Sequence, residues 1–418
     1  MIADLVIRNA AELYTCGGSA PRTGDAMRDA GRITNATLAA RHGHIVFVGP
    51  SSDANAAVAL APDATVLDAT GCAVVPGFVD GHTHIVYAGD RRDELRRRLE
   101  GATYQEISRQ GGGILATVRA TRSANVESLV EATAPRLREM LRCGTTTAEV
   151  KSGYGLTLES ELTQLRAIRR LATEQSIELE ATFMGAHEIP PEYRDNRDDY
   201  IRLIVDSMIP AVAAESLATW CDVFCEEGVF TPEEAASILA AGRRAGLEPR
   251  IHANELGATG GATVAAKLGA RSADHLVFVS ETEARALADA GVVATLLPTT
   301  ALYLRLGRYA PARMLIACGV AVALATDANP GGGLSPSMPF VMTLACFEMG
   351  LTFEESLLAC TLNAAYSLNR AARIGSLEVG KQCDAVIVNG PAVELLRVGA
   401  EAIRSVVKRG RLASPRPW

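Results

Sequence analysis

The sequence predicts an α/β protein: a (β/α)8 TIM-type barrel with a small β domain built from both chain ends. Two observations support this fold class. Strand-like runs followed by helical stretches recur eight times in the central part of the chain, whereas short β-like segments broken by turns occupy both ends. An eightfold βα alternation favours a closed barrel over a doubly wound sheet, which rarely needs eight such units.

The two chain ends share a pattern of short apolar segments interrupted by turns. The N-terminal segments are LVIRNA, ATLAARHGHIVFVG and ATVLDATGCAVV, and the C-terminal segments are GSLEVGKQCDAVIVNG and IRSVVKRGRLA. Alternating apolar and polar residues around glycine are typical of paired strands. We therefore expect residues 1–77 and 376–418 to form one small β-sandwich-like domain, and residues 78–375 to form the barrel.

The central region supplies the eight strand-like runs of the predicted barrel. In order they are GFVDGHTH, TTTAEVKSGYG, LEATFMGAHEI, CDVFCEEGVF, PRIHANEL, SADHLVFV, VVATLLPTT and VAVALATDANP. Capping boxes, which satisfy the first backbone amides of a helix, mark three helix starts. They are Thr231 with Glu234, Ser280 with Glu283, and Thr352 with Glu355. In such a barrel the active site lies at the C-terminal ends of the strands.

The composition is that of a large globular chain without a nucleic-acid or membrane partner. The chain has 418 residues, 48% of them hydrophobic, and a formal net charge of -7, which argues against binding to a polyanion. No apolar run reaches membrane-spanning length, and the N-terminus lacks a signal-peptide pattern. The nine cysteines are scattered without a CxxC pair, so we expect reduced thiols and a cytoplasmic location.

Five of the seven histidines fall at or near the ends of the predicted barrel strands: His82, His84, His187, His252 and His275. His82 and His84 project from one face of an extended strand, because side chains on a strand repeat every second residue. A single histidine at such a position is more often a hydrogen-bonded structural residue. Five of them together favour a metal site.

Asp327 ends the strand-like part VALATD of the eighth run, so closure of the barrel would bring it beside His82 and His84 on the first run. The alternative is a simple helix N-cap. With His252 from the fifth run, three imidazoles and one carboxylate suit one Zn or Fe ion better than Mg or Ca. The fourth run has no lysine that could bridge a second metal, and Lys151, on the second run, is expected to form a salt bridge or another structural contact.

Two further residues could move protons beside such a metal. Glu255, three residues beyond His252, could act as a general acid or base on water or on a substrate nitrogen, and His275 could hydrogen-bond the water or polarise a carbonyl. Orientation of the metal ligands is the alternative role for both residues. A metal at this position would acidify a bound water and so generate the nucleophile of a hydrolase.

The residues around this centre favour a substrate that carries a carboxylate. Arg91, Tyr104, Tyr154 and His187 come from neighbouring segments, and an arginine with phenols is a good carboxylate clamp. We interpret the other arginines of AGDRRDELRRR as mostly a solvated helix face. The glycine loop QGGGI lacks the Lys-Ser/Thr pair of a phosphate-binding loop.

Several of these segments resemble a known family. PGFVDGHTH, the histidine of HANE, ADHL and the TD of the eighth run resemble the amidohydrolase superfamily, a barrel with a small β domain. Within it, HTHIVYAGDR, GATYQEISRQGGGI, KSGYGLTLESELTQLR, FMGAHEIPPEY and ATDANPG are similar to one group of enzymes. The resemblance implies hydrolysis of the cyclic amide 4-imidazolone-5-propanoate to N-formimino-L-glutamate in histidine degradation.

The resemblance also implies roles for individual residues and a homodimeric assembly. One Zn or Fe ion per chain would be held by His82, His84, His252 and Asp327. The substrate would be contacted by Arg91, Tyr104, Tyr154, His187, Glu255, Asn329 and Gly331. Proton transfer would involve Glu255, His275 and Asp327. Gly332, at a position without a hydroxyl group, is assigned no contact.

Two other functions stay open at this point. A different amidohydrolase, such as a deaminase or another cyclic-amide hydrolase, would share the fold and the metal ligands but would have no obvious use for Arg91, Tyr154 and His187. A non-catalytic relative that binds a metal or senses a ligand would be expected to lack a metal ligand or a proton carrier, and neither is missing from this sequence.

Overall fold

A computed structural model of the chain describes residues 1–102, 106–107, 110–397 and 401–415, which contain two eight-stranded sheets. The strands are β1 (Ile2–Tyr14), β2 (Arg32–Arg41), β3 (His44–Pro50), β4 (Ala59–Asp68), β5 (Ala73–Pro76), β6 (Phe78–Asp80), β7 (Thr145–Lys151), β8 (Glu178–Ala186), β9 (Trp220–Cys225), β10 (Glu248–Ala253), β11 (Ser272–His275), β12 (Val293–Leu296), β13 (Val322–Leu324), β14 (Ala385–Val388), β15 (Ile403–Lys408) and β16 (Arg411–Pro415).

The helices lie mostly between the strands of the second sheet. They are α1 (Ser51–Ala57), α2 (Arg92–Leu99), α3 (Ile114–Arg122), α4 (Val126–Arg142), α5 (Leu158–Glu174), α6 (Arg197–Leu203), α7 (Ile209–Ala214), α8 (Pro232–Arg244), α9 (Gly261–Leu268), α10 (Glu281–Asp289), α11 (Pro298–Tyr303), α12 (Ala312–Ala317), α13 (Met338–Phe347), α14 (Phe353–Ala359) and α15 (Leu362–Ser367). All three predicted capping boxes form. None of these helices is long and apolar enough to cross a lipid bilayer.

Strands β6 to β13 pair in parallel in chain order, and each of the eight predicted runs overlaps one of them. The first and last strands meet just beyond their ends, where Thr83 bridges Ala328. The Asp80 carboxylate on β6 accepts hydrogen bonds from the backbone N–H of Thr326 at 3.0 Å and from its hydroxyl at 2.5 Å. These contacts confirm the predicted barrel and bring Asp327 beside the first strand.

The other sheet combines strands from both chain ends, in the order β16-β15-β14-β5-β1-β2-β3, with β4 pairing on β1. It therefore confirms the predicted small β domain built from the two ends. Its strands form a single mixed sheet, in which β1 pairs in parallel with β4 and β5 and antiparallel with β2. Strands β5 and β14 are also antiparallel. Strand β5 ends at Pro76 and β14 begins at Ala385; the domain boundaries at residues 77 and 376 stay a prediction.

A partly buried ion cluster joins the two sheets. Glu178, at the start of barrel strand β8, lies 3.4 Å from Lys408 Nζ of β15 and 3.2 Å from Arg370 Nη2, and it also pairs with Arg409. Burial opposes ionisation of Glu178, but the three positive groups outweigh it and lower the pKa of this carboxyl to about 2.

We predict that Glu178 stabilises the fold in a pH-dependent way. Because its pKa is lower in the folded chain than in the unfolded chain, its contribution is complete above about pH 4.5 and is lost as the pH falls towards 2. Glu178→Gln should lower the free energy of unfolding at pH 7 by about 1.5–3 kcal/mol. When urea unfolding is measured at pH 7 and pH 3, the free energy of unfolding should change less between the two pH values in this variant than in the wild type.

The matched control for this experiment is Glu139→Gln, because Glu139 is an exposed carboxylate on α4. The free energy of unfolding of this control should equal that of the wild type at both pH values. An equal loss of stability between pH 7 and pH 3 in the wild type and in Glu178→Gln would contradict the assignment.

Candidate active site

A cavity opens beyond the C-terminal ends of the barrel strands. Its lining combines polar and apolar side chains from most of the barrel. The lining residues are His84, Arg91, Ile114, Tyr154, His187, Phe224, His252, Glu255, Leu256, His275, Thr300, Leu304, Asp327, Asn329 and Gly332. The cavity therefore lies where a barrel of this type carries its active site.

The four predicted metal ligands lie together at the floor of this cavity. His82, His84 and His252 have ring nitrogens within 4.8 Å of one another, and His82, His275 and Asp327 form a second such group. The Nε2 atoms of His84 and His252 are 3.2 Å apart. Asp327 Oδ1 lies 3.6 Å from His82 Nε2 and 3.7 Å from His84 Nε2.

The donor atoms of this cluster fit a cation. Among the described residues, His82 Nε2 and Asp327 Oδ1 are buried without a hydrogen-bond partner, a condition that costs about 1–3 kcal/mol for each group. Burial, reinforced by neighbouring positive groups and histidines, holds the pKa values of His82 and His84 well below their usual range. Neutral imidazoles beside an unsatisfied carboxylate oxygen are the ligands that a transition metal requires.

Two carboxylates beneath the histidines fix the orientation of the rings. His82 Nδ1 lies 2.7 Å from Asp274 Oδ2, and His252 Nδ1 lies 3.1 Å from Asp222 Oδ1. Because a carboxylate oxygen accepts, each Nδ1–H donates, and the Nε2 lone pair of each ring is directed at the cluster. Neither Asp222 nor Asp274 was predicted from the sequence.

Lys151 connects these two carboxylates. Its Nζ lies 2.7 Å from Asp222 Oδ2, 2.8 Å from Glu149 Oε1 and 3.9 Å from Asp274 Oδ2, and all four side chains are fully buried. Burial opposes protonation of the lysine, but Asp222 and Glu149 outweigh it and raise its pKa. The structure confirms the predicted salt bridge of Lys151.

Asp327 is held by its backbone and by a neighbouring hydroxyl group. Its φ of 50° lies in the left-handed region, as do those of Asn254 (53°) and His275 (75°), and such strained positions cluster at functional sites. Thr300 donates a hydrogen bond of 2.6 Å to Asp327 Oδ2, which leaves Oδ1 facing the histidines. The alternative role as a helix N-cap is wrong, because the next helix begins at Met338.

Glu255 and His275 adjoin the cluster on one side. Glu255 Oε2 lies 3.5 Å from His275 Nε2, and both side chains are buried. Burial, together with the charges of Asp327 and Glu226, raises the pKa of Glu255 well above its usual range. Glu226 accepts the backbone N–H groups of Glu255 at 3.1 Å and Leu256 at 2.9 Å, and so fixes this loop. A buried carboxyl group with a raised pKa beside the cluster is suited to carry a proton.

Arg91, Tyr154 and His187 line the cavity together with the metal-ligand cluster. The His187 ring stacks on His84 with a centroid distance of 4.8 Å, and the Tyr154 ring lies 5.3 Å from that of His187. Burial lowers the pKa of His187 to about 3, and its Nδ1–H donates to the carbonyl of Gly153 at 2.9 Å. Tyr104 lies outside the described residues.

The glycine segment after Asp327 forms one wall of the cavity. Asn329 Oδ1 accepts the backbone N–H groups of Gly331 at 2.8 Å and Gly332 at 2.6 Å. Asn329 and Gly332 line the cavity, whereas Gly331 packs against the guanidinium of Arg91. From the sequence, Gly332 was assigned no substrate contact, because it has no hydroxyl group. It nevertheless lines the cavity in which the substrate is predicted to bind.

The prediction that the arginines after Arg91 form a solvated helix face is wrong for Arg98. Arg92 and Arg96 are exposed as expected, but Arg98 is buried and donates to the carbonyl of Tyr303 at 2.9 Å and to that of Gly331. The two leucines of this helix, Leu95 and Leu99, do not mark its buried side, because Leu99 is 71% exposed. Arg98 thus supports the cavity wall.

Comparison with known proteins relates this chain to metal-dependent hydrolases. The profile of the Amidohydrolase family matches residues 73–413. Imidazolonepropionase from Symbiobacterium thermophilum is 50% identical over 412 residues, which cover 98% of this chain and 97% of that protein. Imidazolonepropionase from Geobacillus kaustophilus is 47% identical over 413 residues, with coverages of 98% and 97%.

Solved structures with lower identity share the fold. Guanine deaminase from E. coli superposes with a TM-score of 0.74 at 18% identity and covers 99% of this chain and 100% of its own. An adenosine deaminase from Xanthomonas campestris, solved with bound zinc, has a TM-score of 0.69 at 20% identity, with coverages of 98% and 93%.

We predict that Asp274→Asn weakens metal binding. The amide can no longer anchor His82 as a carboxylate does, and loss of such a contact typically lowers metal affinity about 10–100-fold. The measurement is the metal content of the purified protein during titration with a chelator. Asp289→Asn, which removes an exposed carboxylate at the end of α10, is the control and should retain metal like the wild type. Unchanged affinity in Asp274→Asn would show that this contact does not support the site.

Proposed function

The chain belongs to the amidohydrolase family, and on that premise we propose that it hydrolyses the ring amide of 4-imidazolone-5-propanoate to N-formimino-L-glutamate in histidine degradation. The observation that carries the proposal is the presence of Arg91 in the same cavity as the three imidazoles and Asp327. This combination fits a small cyclic amide that bears a carboxylate. The near-full-length similarity to imidazolonepropionases supports the same substrate.

One metal ion per chain belongs to this proposal, with His82, His84, His252 and Asp327 as the residues that would hold it. Three imidazoles and one carboxylate suit zinc and iron, and the zinc in the solved adenosine deaminase supports zinc. When bound, such an ion supplies Lewis-acid chemistry: it polarises the ring carbonyl and acidifies the attacking water.

The chain's own residues bind the substrate and move the protons. Arg91 pairs with the propionate, and Tyr154 and His187 form the wall beside it. Water adds to the ring carbonyl carbon, the ring C–N bond breaks, and the departing nitrogen takes up a proton. Glu255 is the proton carrier, because burial and the charges of Asp327 and Glu226 raise its pKa and because the residue lines the cavity. His275, 3.5 Å from Glu255, orients that carboxyl group.

The same residues argue against the two other functions. A purine deaminase has no use for a guanidinium in the cavity, and the deaminases that superpose on this chain share its fold at 18–20% identity. A non-catalytic relative would lack a ligand or a proton carrier, whereas His82, His84, His252, Asp327 and Glu255 are all present. The cytoplasmic location and the homodimer stay predictions from the sequence.

We predict that the purified, metal-assayed protein removes the ultraviolet absorbance of 4-imidazolone-5-propanoate and forms N-formimino-L-glutamate. Arg91→Ala should raise KM about 10–100-fold, because a charge-assisted contact to the propionate is lost, and should leave the metal content unchanged. No turnover by the metal-loaded wild type would refute the proposed function. Equal wild-type activity on an analogue without the propionate would remove Arg91 from substrate recognition.

A further inference from the structure

We propose that Glu94 is a positioning residue that holds the guanidinium of Arg91 at the cavity wall and thereby determines specificity for a carboxylate-bearing ligand. This inference rests on the proposed function, in which Arg91 binds the propionate. Glu94 is on α2, and no role was predicted for it from the sequence.

The contacts of Glu94 join two parts of the cavity wall. Its Oε2 atom accepts hydrogen bonds from Arg91 Nε at 3.0 Å and from Arg91 Nη2 at 2.8 Å. Its Oε1 atom accepts the backbone N–H of Gly113 at 2.9 Å. The next residue, Ile114, lines the cavity. One buried carboxylate therefore ties the predicted clamp to the glycine loop beside it.

Glycines around this carboxylate allow the backbone to lie close to the two side chains. A Cβ atom on Gly112 would lie 2.9 Å from Glu94 Oε1, and one on Gly331 would lie 2.3 Å from Arg91 Nη1. Gly113 has a φ of 69°, a conformation that side chains other than glycine rarely adopt. The QGGGI segment thus has a physical explanation: it lets the backbone approach Glu94 while Arg91 is confined between Glu94 and Gly331.

Arg98 reinforces the same wall from the next turn of α2. It lies four residues after Glu94, so both side chains are on one face of the helix. Arg98 donates to the carbonyl of Gly331, the residue against which Arg91 packs. Glu94 therefore holds Arg91 from one side, and Arg98 fixes the backbone on the other side.

Replacement of Glu94 by glutamine would change the affinity of the cavity for an anion in two opposing ways. Removal of the negative charge of Glu94 would by itself strengthen the attraction between Arg91 and an anion. Release of the guanidinium would weaken binding, because a long side chain that must be ordered on binding loses rotamer freedom, and this corresponds to about a tenfold change in affinity. We expect the loss of order to exceed the gain in charge, so that the carboxylate ligand binds more weakly.

The test compares the metal-loaded wild type with Glu94→Gln by calorimetry on two ligands that cannot be hydrolysed. Imidazole-4-propanoate carries the carboxylate, and imidazole-4-propanamide is its neutral counterpart. Glu94→Gln should weaken propanoate binding about tenfold, leave propanamide binding unchanged, and raise KM for 4-imidazolone-5-propanoate with little change in kcat. The control Asp93→Asn removes the neighbouring exposed carboxylate and should bind both ligands like the wild type.

A second variant, Glu94→Asp, retains the charge but is one methylene too short to hold Arg91 and Gly113 together, and it should also weaken propanoate binding. Metal content and circular dichroism establish that each variant is folded. Unchanged or tighter propanoate binding, or equal losses for both ligands, would overturn the proposal, as would a wild type that does not prefer the propanoate. If the wild type binds selectively but does not hydrolyse 4-imidazolone-5-propanoate, the proposed function fails and the binding ratios still decide the role of Glu94.

Discussion

The buried charge of Lys151 is the interaction on which the site depends most directly. It lies between Asp222, Glu149 and Asp274 in the barrel interior, where unpaired charges are very costly. Asp222 and Asp274 in turn anchor His252 and His82 through their Nδ1 atoms. The Lys151 ammonium therefore supports the two carboxylates that orient these rings, and the loss of one partner would be transmitted to the predicted metal ligands His82 and His252.

Closure of the barrel and the wall of the cavity complete the site above this buried charge cluster. Asp80 ties β6 to Thr326, the residue before Asp327, so the carboxylate from the last strand is placed against the histidines that follow the first. Above the floor, Glu255 and His275 adjoin the cluster on one side, while Arg91 enters the cavity from a segment held by α2. Fold and metal ligands alone do not separate one amidohydrolase activity from another, and the held guanidinium is the feature from which we propose selectivity for a small anion.

The sequence was sufficient for features that are encoded locally. The eight strands, the three capping boxes and the convergence of His82, His84, His252 and Asp327 follow from periodicity and from the rule that barrel strands end at one face. Asp222 was overlooked, although a single carboxylate within the apolar run WCDVFC is a signal of a buried, paired charge.

Glu94 and Arg98 could not be identified in the same way. They lie in RDELRRRL, whose polar residues all fit a solvated face, and only the tertiary approach of the two glycine segments shows which side is buried. Contacts between residues far apart in the chain, such as that of Arg98 with Gly331, depend on how the barrel loops pack and leave no periodic trace in the sequence.

The central claim is that one metal ion is bound by His82, His84, His252 and Asp327, while Lys151 supports the site without binding the metal. The most direct test is anomalous X-ray scattering from crystals of the metal-loaded protein, collected at the absorption edges of zinc and iron. We expect a single peak per chain within bonding distance of these four side chains, with Lys151 still paired to Asp222. A second metal peak in the barrel, or direct coordination by Lys151, would contradict this claim.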